Sequence, residues 1–322
     1  MTATKRPRPD SDIAPNACYS RMPSRFRNLI PSEHFPADKD RYVLYVNYCC
    51  PWAHRTIIVH GLKGLEDIVQ LVEVDAKDAT YGWYFSGRRG PSRDPIYGVR
   101  WIKELYLKAD PQYTGRVTVP LLWDKKTATI VNNESSEIIR MFFDGFDQFL
   151  SPERREANKG VAAFVPPHLR TEIDTLNAWV YDAVNNGVYK AGFASSQAAY
   201  NEHVTRLFQA LDRLEYHLSQ PGHYPYLFGS YITEADIRLY TTLIRFDVAY
   251  YPLFKCNLKM IRLDYTRLHA WLRRLYWSVG SETGGGVFKG TTHFDEIKRG
   301  YSAVVNGNSV IPIGPNPSIM PL

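Results

Sequence analysis

Val46–Gly61 reads VNYCCPWAHRTIIVHG, with two adjacent cysteines, a proline and then a helix-like run. A thiol placed there can do nucleophilic chemistry. Pro51 fits the first helical position, where its missing N–H costs nothing. Cys50 then falls at the junction, beside the unpaired N–H groups of the first turn. Those groups and the helix field favour a thiolate. Arg55 adds positive charge nearby, and His54, four positions on, can share the Cys50 side of the helix. His54 is read first as a packing or hydrogen-bonding residue and second as a general base. Adjacent residues at a strand end cannot point the same way. Cys50 is therefore chosen over Cys49, which is expected to pack behind it, a vicinal disulfide being the strained alternative. Taken bare, Cys50 also fits an inert buried cysteine.

A dithiol reductant needs a resolving cysteine three residues after the attacking one, and position 53 is alanine. A mixed disulfide at Cys50 must then be resolved by an outside thiol. Such exchange needs a thiolate, a reachable sulfur and a good leaving group. Glutathione fits because the reaction can use it twice, first as the captured group and then as the releasing thiol. The four cysteines, Cys18, Cys49, Cys50 and Cys256, form neither a disulfide framework nor a CxxC or His/Cys zinc spacing. Free thiols in a reducing compartment, the cytoplasm, are the simpler reading.

The elements that must hold this thiol show in the periodicity. Arg41–Tyr48 reads as a strand. Ile57, Ile58 and Leu62 line a helix that Gly61 and Gly64 end, and Ile68–Val74 is a second strand. This strand–helix–strand unit predicts a parallel pair. Asp78–Pro95 reads as a loop-like insert carrying Trp83, Tyr84 and Phe85. A helix over Tyr97–Lys108, strands over Val117–Trp123 and Thr127–Val131, and a helix over Asn133–Phe143 complete the order βαβαββα. Beyond residue 160 the period becomes helical, as in Leu169, Ile173, Leu176, Val180 and in Tyr200, Val204, Leu207, Leu211, Leu214, Leu218. Thr233-Glu-Ala-Asp236 opens another helix with a capping box, and Tyr265–Tyr276 is a further one. Val310–Pro315 reads as an extended clasp. The division is a flexible leader over 1–25, an α/β domain over 26–150, a linker over 151–163, an all-α domain over 164–295 and a tail over 296–322.

Apolar residues make up 44 % of the chain and charged residues 22 %, a globular balance. The net charge of +6 owes much to Lys5, Arg6 and Arg8, with no basic stripe to track a nucleic acid. No run of 18 apolar residues exists to span a membrane, and MTATKRPRPDSD lacks the apolar core of a secretory signal.

Five segments together resemble the glutathionyl-hydroquinone reductases, the xi class of the glutathione transferases. They are Cys50-Pro-Trp-Ala-His-Arg55, Gly115-Arg-Val-Thr-Val-Pro120, Asn133-Glu-Ser135, Asn185-Asn-Gly-Val-Tyr-Lys-Ala-Gly-Phe193 and Thr233-Glu-Ala-Asp236. The similarity covers about residues 25–318. It implies a thioredoxin-like domain followed by an all-α glutathione-transferase C-terminal domain, and a homodimer. The implied activity is glutathione-dependent reduction of glutathionyl-hydroquinones through a Cys50–glutathione mixed disulfide, with no metal, nicotinamide or flavin. The alternative is a broader, omega-like thiol transferase or dehydroascorbate reductase that uses the same cysteine.

The resemblance also assigns residues. Pro120 should be cis, leaving the backbone of Val119 to meet the cysteinyl part of glutathione. Glu134 and Ser135 should take its γ-glutamyl end, although from the residues alone the first reading is an ordinary helix cap at Ser135 with Glu134 facing solvent. Trp83 should close over the tripeptide, and Arg116 should assist its carboxylates. Tyr189 and Tyr301 should line the ring pocket and aid protonation. The tail departs from the family: a histidine–tyrosine lead-in reads Gly300-Tyr301, Tyr-Ser-His reads Tyr301-Ser-Ala303, and Asn-Pro reads Asn306-Gly307.

Overall fold

All five residues of the first strand, β1 (Tyr42–Val46), are buried, as a strand covered on both faces must be. Alternation divides them between two cores: Tyr42, Leu44 and Val46 face one, Val43 and Tyr45 the other. The computed structural model describes residues 23–78, 80–306 and 310–322. After β1 come α1 (Pro51–Lys63), β2 (Val69–Glu73), β3 (Ala76–Asp78), β4 (Gly82–Tyr84), α2 (Ile102–Ala109), β5 (Leu121–Asp124), β6 (Thr129–Asn132) and α3 (Ser135–Asp144). The sheet order is β2-β1-β5-β6. β1 and β2 are parallel, as the crossover through α1 predicts, and β5 and β6 are antiparallel to their neighbours. Residues of α1 and α3 pack in one core, and Ile102, Leu105 and Tyr106 of α2 in the other.

The βαβαββα order is present with one addition. β3 and β4 form a small antiparallel hairpin inside the insert read as a loop. Three-residue strands leave too little alternation to see. Asp75 fixes the chain beyond the hairpin. Its carboxylate accepts from the backbone N–H groups of Ser86, Arg88 and Arg89 and from the Ser86 hydroxyl. The second helix starts at Ile102 rather than Tyr97, because the Asp94 carboxylate draws the Ile96 and Tyr97 N–H groups into a turn and Glu104 caps Trp101.

The segment read as a linker over 151–163 winds through short 3-10 turns at Pro152–Arg154, Glu156–Asn158 and Gly160–Ala162. The buried Lys63 ammonium fixes this path, donating to the Arg154 carbonyl at 2.6 Å and to Asp147 Oδ1 at 2.9 Å. Ser24 and Arg25, read as the end of the leader, rest on the first domain. Ser24 donates to the Asn133 carbonyl, and the Arg25 guanidinium lies over the Tyr113 ring. Residues 1–22 of the leader, with Cys18, lie outside the described residues.

The remainder is helical: α4 (Arg170–Val180), α5 (Gly187–Gly192), α6 (Gln197–Ser219), α7 (Glu234–Leu243), α8 (Tyr251–Leu253), α9 (Ile261–Asp264), α10 (Thr266–Trp277), α11 (Val287–Gly290) and α12 (Phe294–Asn306). Five-residue π-helical turns precede α5 and α8, at Tyr181–Asn185 and Phe246–Tyr250. The Thr233–Asp236 capping box is present. The Asp236 carboxylate accepts from Thr233 N–H and hydroxyl, and also from Leu227 N–H and the Trp271 indole, so the cap ties α7 to α10. Residues 296–306, read as tail, belong to α12, where Ile297 and Tyr301 face inward four residues apart. The stretch from Val310 runs without forming a strand. It is held by single contacts, Lys298 to the Ile313 carbonyl, Arg262 to those of Pro317 and Ser318, and Trp277 to that of Met320. No helix among the described residues is long and apolar enough to cross a membrane.

Candidate active site

Cys50 is the N-cap of α1, in extended conformation, with Pro51 at the first helical position. Its carbonyl accepts the first helical hydrogen bond, from His54 N–H at 3.0 Å. The residue is 9 % exposed, and its thiol donates to the Val119 carbonyl at 3.5 Å. The Val119–Pro120 peptide is cis. The α1 cap and the turn before β5 therefore meet at the sulfur. The Tyr106 hydroxyl supports that turn, donating to the Thr118 carbonyl at 2.9 Å, and Asn133 donates to Tyr106 at 3.1 Å.

His54 and Arg55 do not face the thiol chemistry. His54 is fully buried. Arg245 Nη1 donates to its Nδ1 at 3.0 Å, and its Nε2 stands 3.0 Å from Thr291 Oγ1. The arginine requires an unprotonated Nδ1, which makes His54 a neutral donor to Thr291. Burial, with Arg245 and His293 adding, holds its pKa well below the ordinary value. The general-base reading has no support in this arrangement. Arg55 crosses to the helical domain, lying over the Trp52 ring and donating to Asn185 Oδ1 at 2.8 Å. Burial pushes its pKa down to about 9.

Cys49 packs behind Cys50, towards α12. Its N–H donates to Asn47 Oδ1 at 2.9 Å, and its carbonyl accepts from Arg245 Nε at 3.1 Å. Burial pushes its thiol up to about 12. The Cys49 and Cys50 thiols are both free, as is that of Cys256.

Around this turn lie the other expected residues. Glu134 is the N-cap of α3, its carboxylate accepting from Ser136 N–H at 3.1 Å, and Ser135 is buried in the first turn. Capping thus falls to Glu134 rather than to Ser135. The helix start is charged as well as capped. Trp83, on β4, is half-buried and packs against both cores. Lys77 lies over its ring, 5.2 Å from the centroid. The carbonyl of half-buried Arg116 accepts from the Tyr113 hydroxyl at 2.7 Å.

The helical domain supplies phenols. The Tyr189 and Tyr301 hydroxyls stand 2.7 Å apart, and Tyr301 stands 2.7 Å from Tyr250. All three rings rest on Phe254, with centroids 5.4–5.5 Å from it. Burial raises all three phenols, Tyr250 to about 12 and the other two well above the ordinary value. All three hold their protons at neutral pH. Half-buried Tyr189 packs against the same core as Cys50.

Sequence reasoning missed Tyr250 and Arg245. Tyr250 is one of 22 tyrosines, and a π-helical turn, which helical periodicity does not reveal, brings it into line. Arg245 did carry a signal, as a lone cation in the apolar run Leu243–Phe246. It donates to the carbonyls of Tyr48 at 2.9 Å and Cys49 at 3.1 Å, and so pins the cysteine turn from the other domain.

The family described as "Glutathione S-transferase, N-terminal domain" matches residues 49–144, and "Glutathione S-transferase, C-terminal domain" matches 197–274. "Glutathione S-transferase omega-like 2" of Schizosaccharomyces pombe is 46 % identical over 306 residues, covering 94 % of each chain. "Glutathionyl-hydroquinone reductase YqjG" of Escherichia coli is 45 % identical over 310 residues, covering 92 % of this chain and 89 % of that one. The glutathione-bound structure of YqjG superposes with a TM-score of 0.80 at 45 % identity, over 90 % of this chain and 92 % of that one. The xi glutathione-S-transferase of Phanerochaete chrysosporium superposes with a TM-score of 0.86 at 48 % identity, over 94 % of this chain and all of that one. With these matches along both domains, the chain belongs to the glutathionyl-hydroquinone reductases, the xi class of the glutathione transferases.

Proposed function

We propose that the enzyme reduces glutathionyl-hydroquinones to hydroquinones at the expense of glutathione. The observation that carries this reading is the Cys50 thiol at the α1 cap, against the Val119 carbonyl, with a proton-holding phenol cluster on the facing domain. Cys50 sulfur attacks the glutathione sulfur of the adduct. A sulfur–sulfur bond forms, the ring carbon–sulfur bond breaks, and its electron pair stays with the ring carbon, which takes a proton. Tyr189 delivers that proton, and Tyr301 and Tyr250 behind it stabilise the charge left on its oxygen. A second glutathione thiolate then attacks the glutathionyl sulfur on Cys50, releasing oxidised glutathione and the cysteine thiolate. Ala53, where a resolving thiol would sit, leaves the second step to the free tripeptide.

Glutathione is bound as substrate. The Val119 backbone takes its cysteinyl part, the charged start of α3 at Glu134 and Ser135 takes its γ-glutamyl end, Trp83 covers it, and Arg116 meets a carboxylate. A cytoplasmic homodimer completes the reading, and the free thiols Cys49, Cys50 and Cys256 are in keeping with a reducing compartment. The test is turnover of glutathionyl-menadiol with glutathione present. Mass spectrometry should find one glutathione on Cys50, and Cys50→Ser should abolish menadiol release. Unchanged release would reject the residue's role. Mixed disulfides and dehydroascorbate run alongside separate a ring-selective reductase from a broader thiol transferase.

A further inference from the structure

Gly300 sits inside α12, one residue before Tyr301, and helix interiors disfavour glycine. Its conformation does not call for glycine, because it is not among the residues with positive φ. Its surroundings do. A β-carbon at Gly300 would stand 2.2 Å from Cys49 Sγ and 2.9 Å from Cys49 Cβ. A rotating thiol can relieve the first contact but not the second. Cys49 also cannot retreat, since its N–H is held by Asn47 and its carbonyl by Arg245. On the other side, α12 is tied down by Arg88 on Glu296 and by the two phenols on Tyr301.

We propose that Cys49 is a positioning residue: its side chain is the stop against which α12 seats at Gly300, and that contact sets the Tyr301 hydroxyl between Tyr189 and Tyr250. The two adjacent cysteines thus divide the work. Cys50 meets the glutathionyl sulfur, whereas Cys49 acts through its volume on the proton-donating side. This rests on the hydroquinone-reductase reading above. The high pKa of the Cys49 thiol agrees with a sulfur that packs rather than reacts.

The test is a double-mutant cycle on Cys49→Gly and Gly300→Ala. Gly300→Ala should lower kcat for glutathionyl-menadiol at least 10-fold with KM for glutathione within 2-fold. It should also leave cleavage of a simple glutathione mixed disulfide, which needs no ring protonation, within 2-fold. Cys49→Gly/Gly300→Ala should recover kcat to within 3-fold of the parent, because the methyl at 300 then occupies the space of the missing Cys49 side chain, Cβ included. Recovery on truncating a second residue is a result that a general loss of packing would not give. The proposal is overturned if Gly300→Ala turns over the aromatic adduct like the parent, or if the double variant is as slow as the single. It is also overturned if mixed-disulfide cleavage falls as far as adduct turnover. Failure of the parent itself to release menadiol would instead sink the functional reading.

Discussion

The two neighbouring thiols differ in environment, and alkylation can tell them apart. Cys50 lies at the cap against a carbonyl, whereas Cys49 is buried against α12 with a pKa near 12. At pH 9 the ionised share of a thiol titrating near 12 is on the order of one in a thousand. Iodoacetamide between pH 7 and 9 should therefore label Cys50 and leave Cys49 unmodified, as peptide mapping would read. Label on Cys49 at comparable rates would contradict the assignment. Tyr250 invites a second measurement. Its hydroxyl stands 2.7 Å from that of Tyr301. Direct proton transfer contributes about 10²–10⁴-fold, so Tyr189→Phe should cost at least about 10² in kcat. Tyr250→Phe, which removes only a supporting hydroxyl, should cost about tenfold. Steady-state kinetics on the ring adduct decide both. The strand-to-helix turn at the cysteines was legible because its signals, Pro51 and the apolar positions that follow, are local. Tyr250 was not, because only packing distinguishes it from the other tyrosines.

Among the elements, α1 carries the most consequence, with the nucleophile at its start and two histidines, His54 and His60, buried in its body. Burial lowers both pKa values. Proton linkage sets the sign of the effect on stability. Below about pH 6.5 the unfolded chain takes up protons that the native imidazoles refuse, so stability present above that pH is lost on acidification. One such proton gives a slope of up to about 1.4 kcal/mol per pH unit. His54→Gln should remove about one proton's share of the slope between pH 6 and 5, measured by urea unfolding. An unaltered slope would mean that His54 is protonated in the native state. Most elements were legible from periodicity and caps. The misses share a cause, namely control by distant partners. The β3–β4 hairpin is organised through Asp75, the segment after α3 is wound onto Lys63, and α12 closes against the phenols. Each of these contacts joins residues too far apart in the chain for a local pattern to register.

At the scale of the whole molecule, the α/β half is not self-sufficient. Arg245 of the helical half holds the two carbonyls that precede the nucleophile, and Asn185 of the same half accepts from buried Arg55. Apolar residues of both halves share one continuous core. Residues 23–150 made alone should then be a poor catalyst and a poor fold, with little protection of α1 amides from solvent exchange. Mixing them with residues 151–322 should restore both. A folded, active fragment would show the halves to be independent. Two domains could be guessed from the change of hydrophobic period, but their mutual grip could not, since it depends on individual polar atoms meeting across the seam.

That grip bears on how such a protein can be rebuilt. Thioredoxin-like modules invite exchange between proteins, as interchangeable parts. Here the guanidinium that steadies the reactive loop arrives from some two hundred residues downstream, 197 from Tyr48 and 196 from Cys49. A graft of the first half onto a foreign helical body would bring the nucleophile and leave its brace behind. Any chimera built from this scaffold must carry the cysteine turn and Arg245 together as one inherited unit.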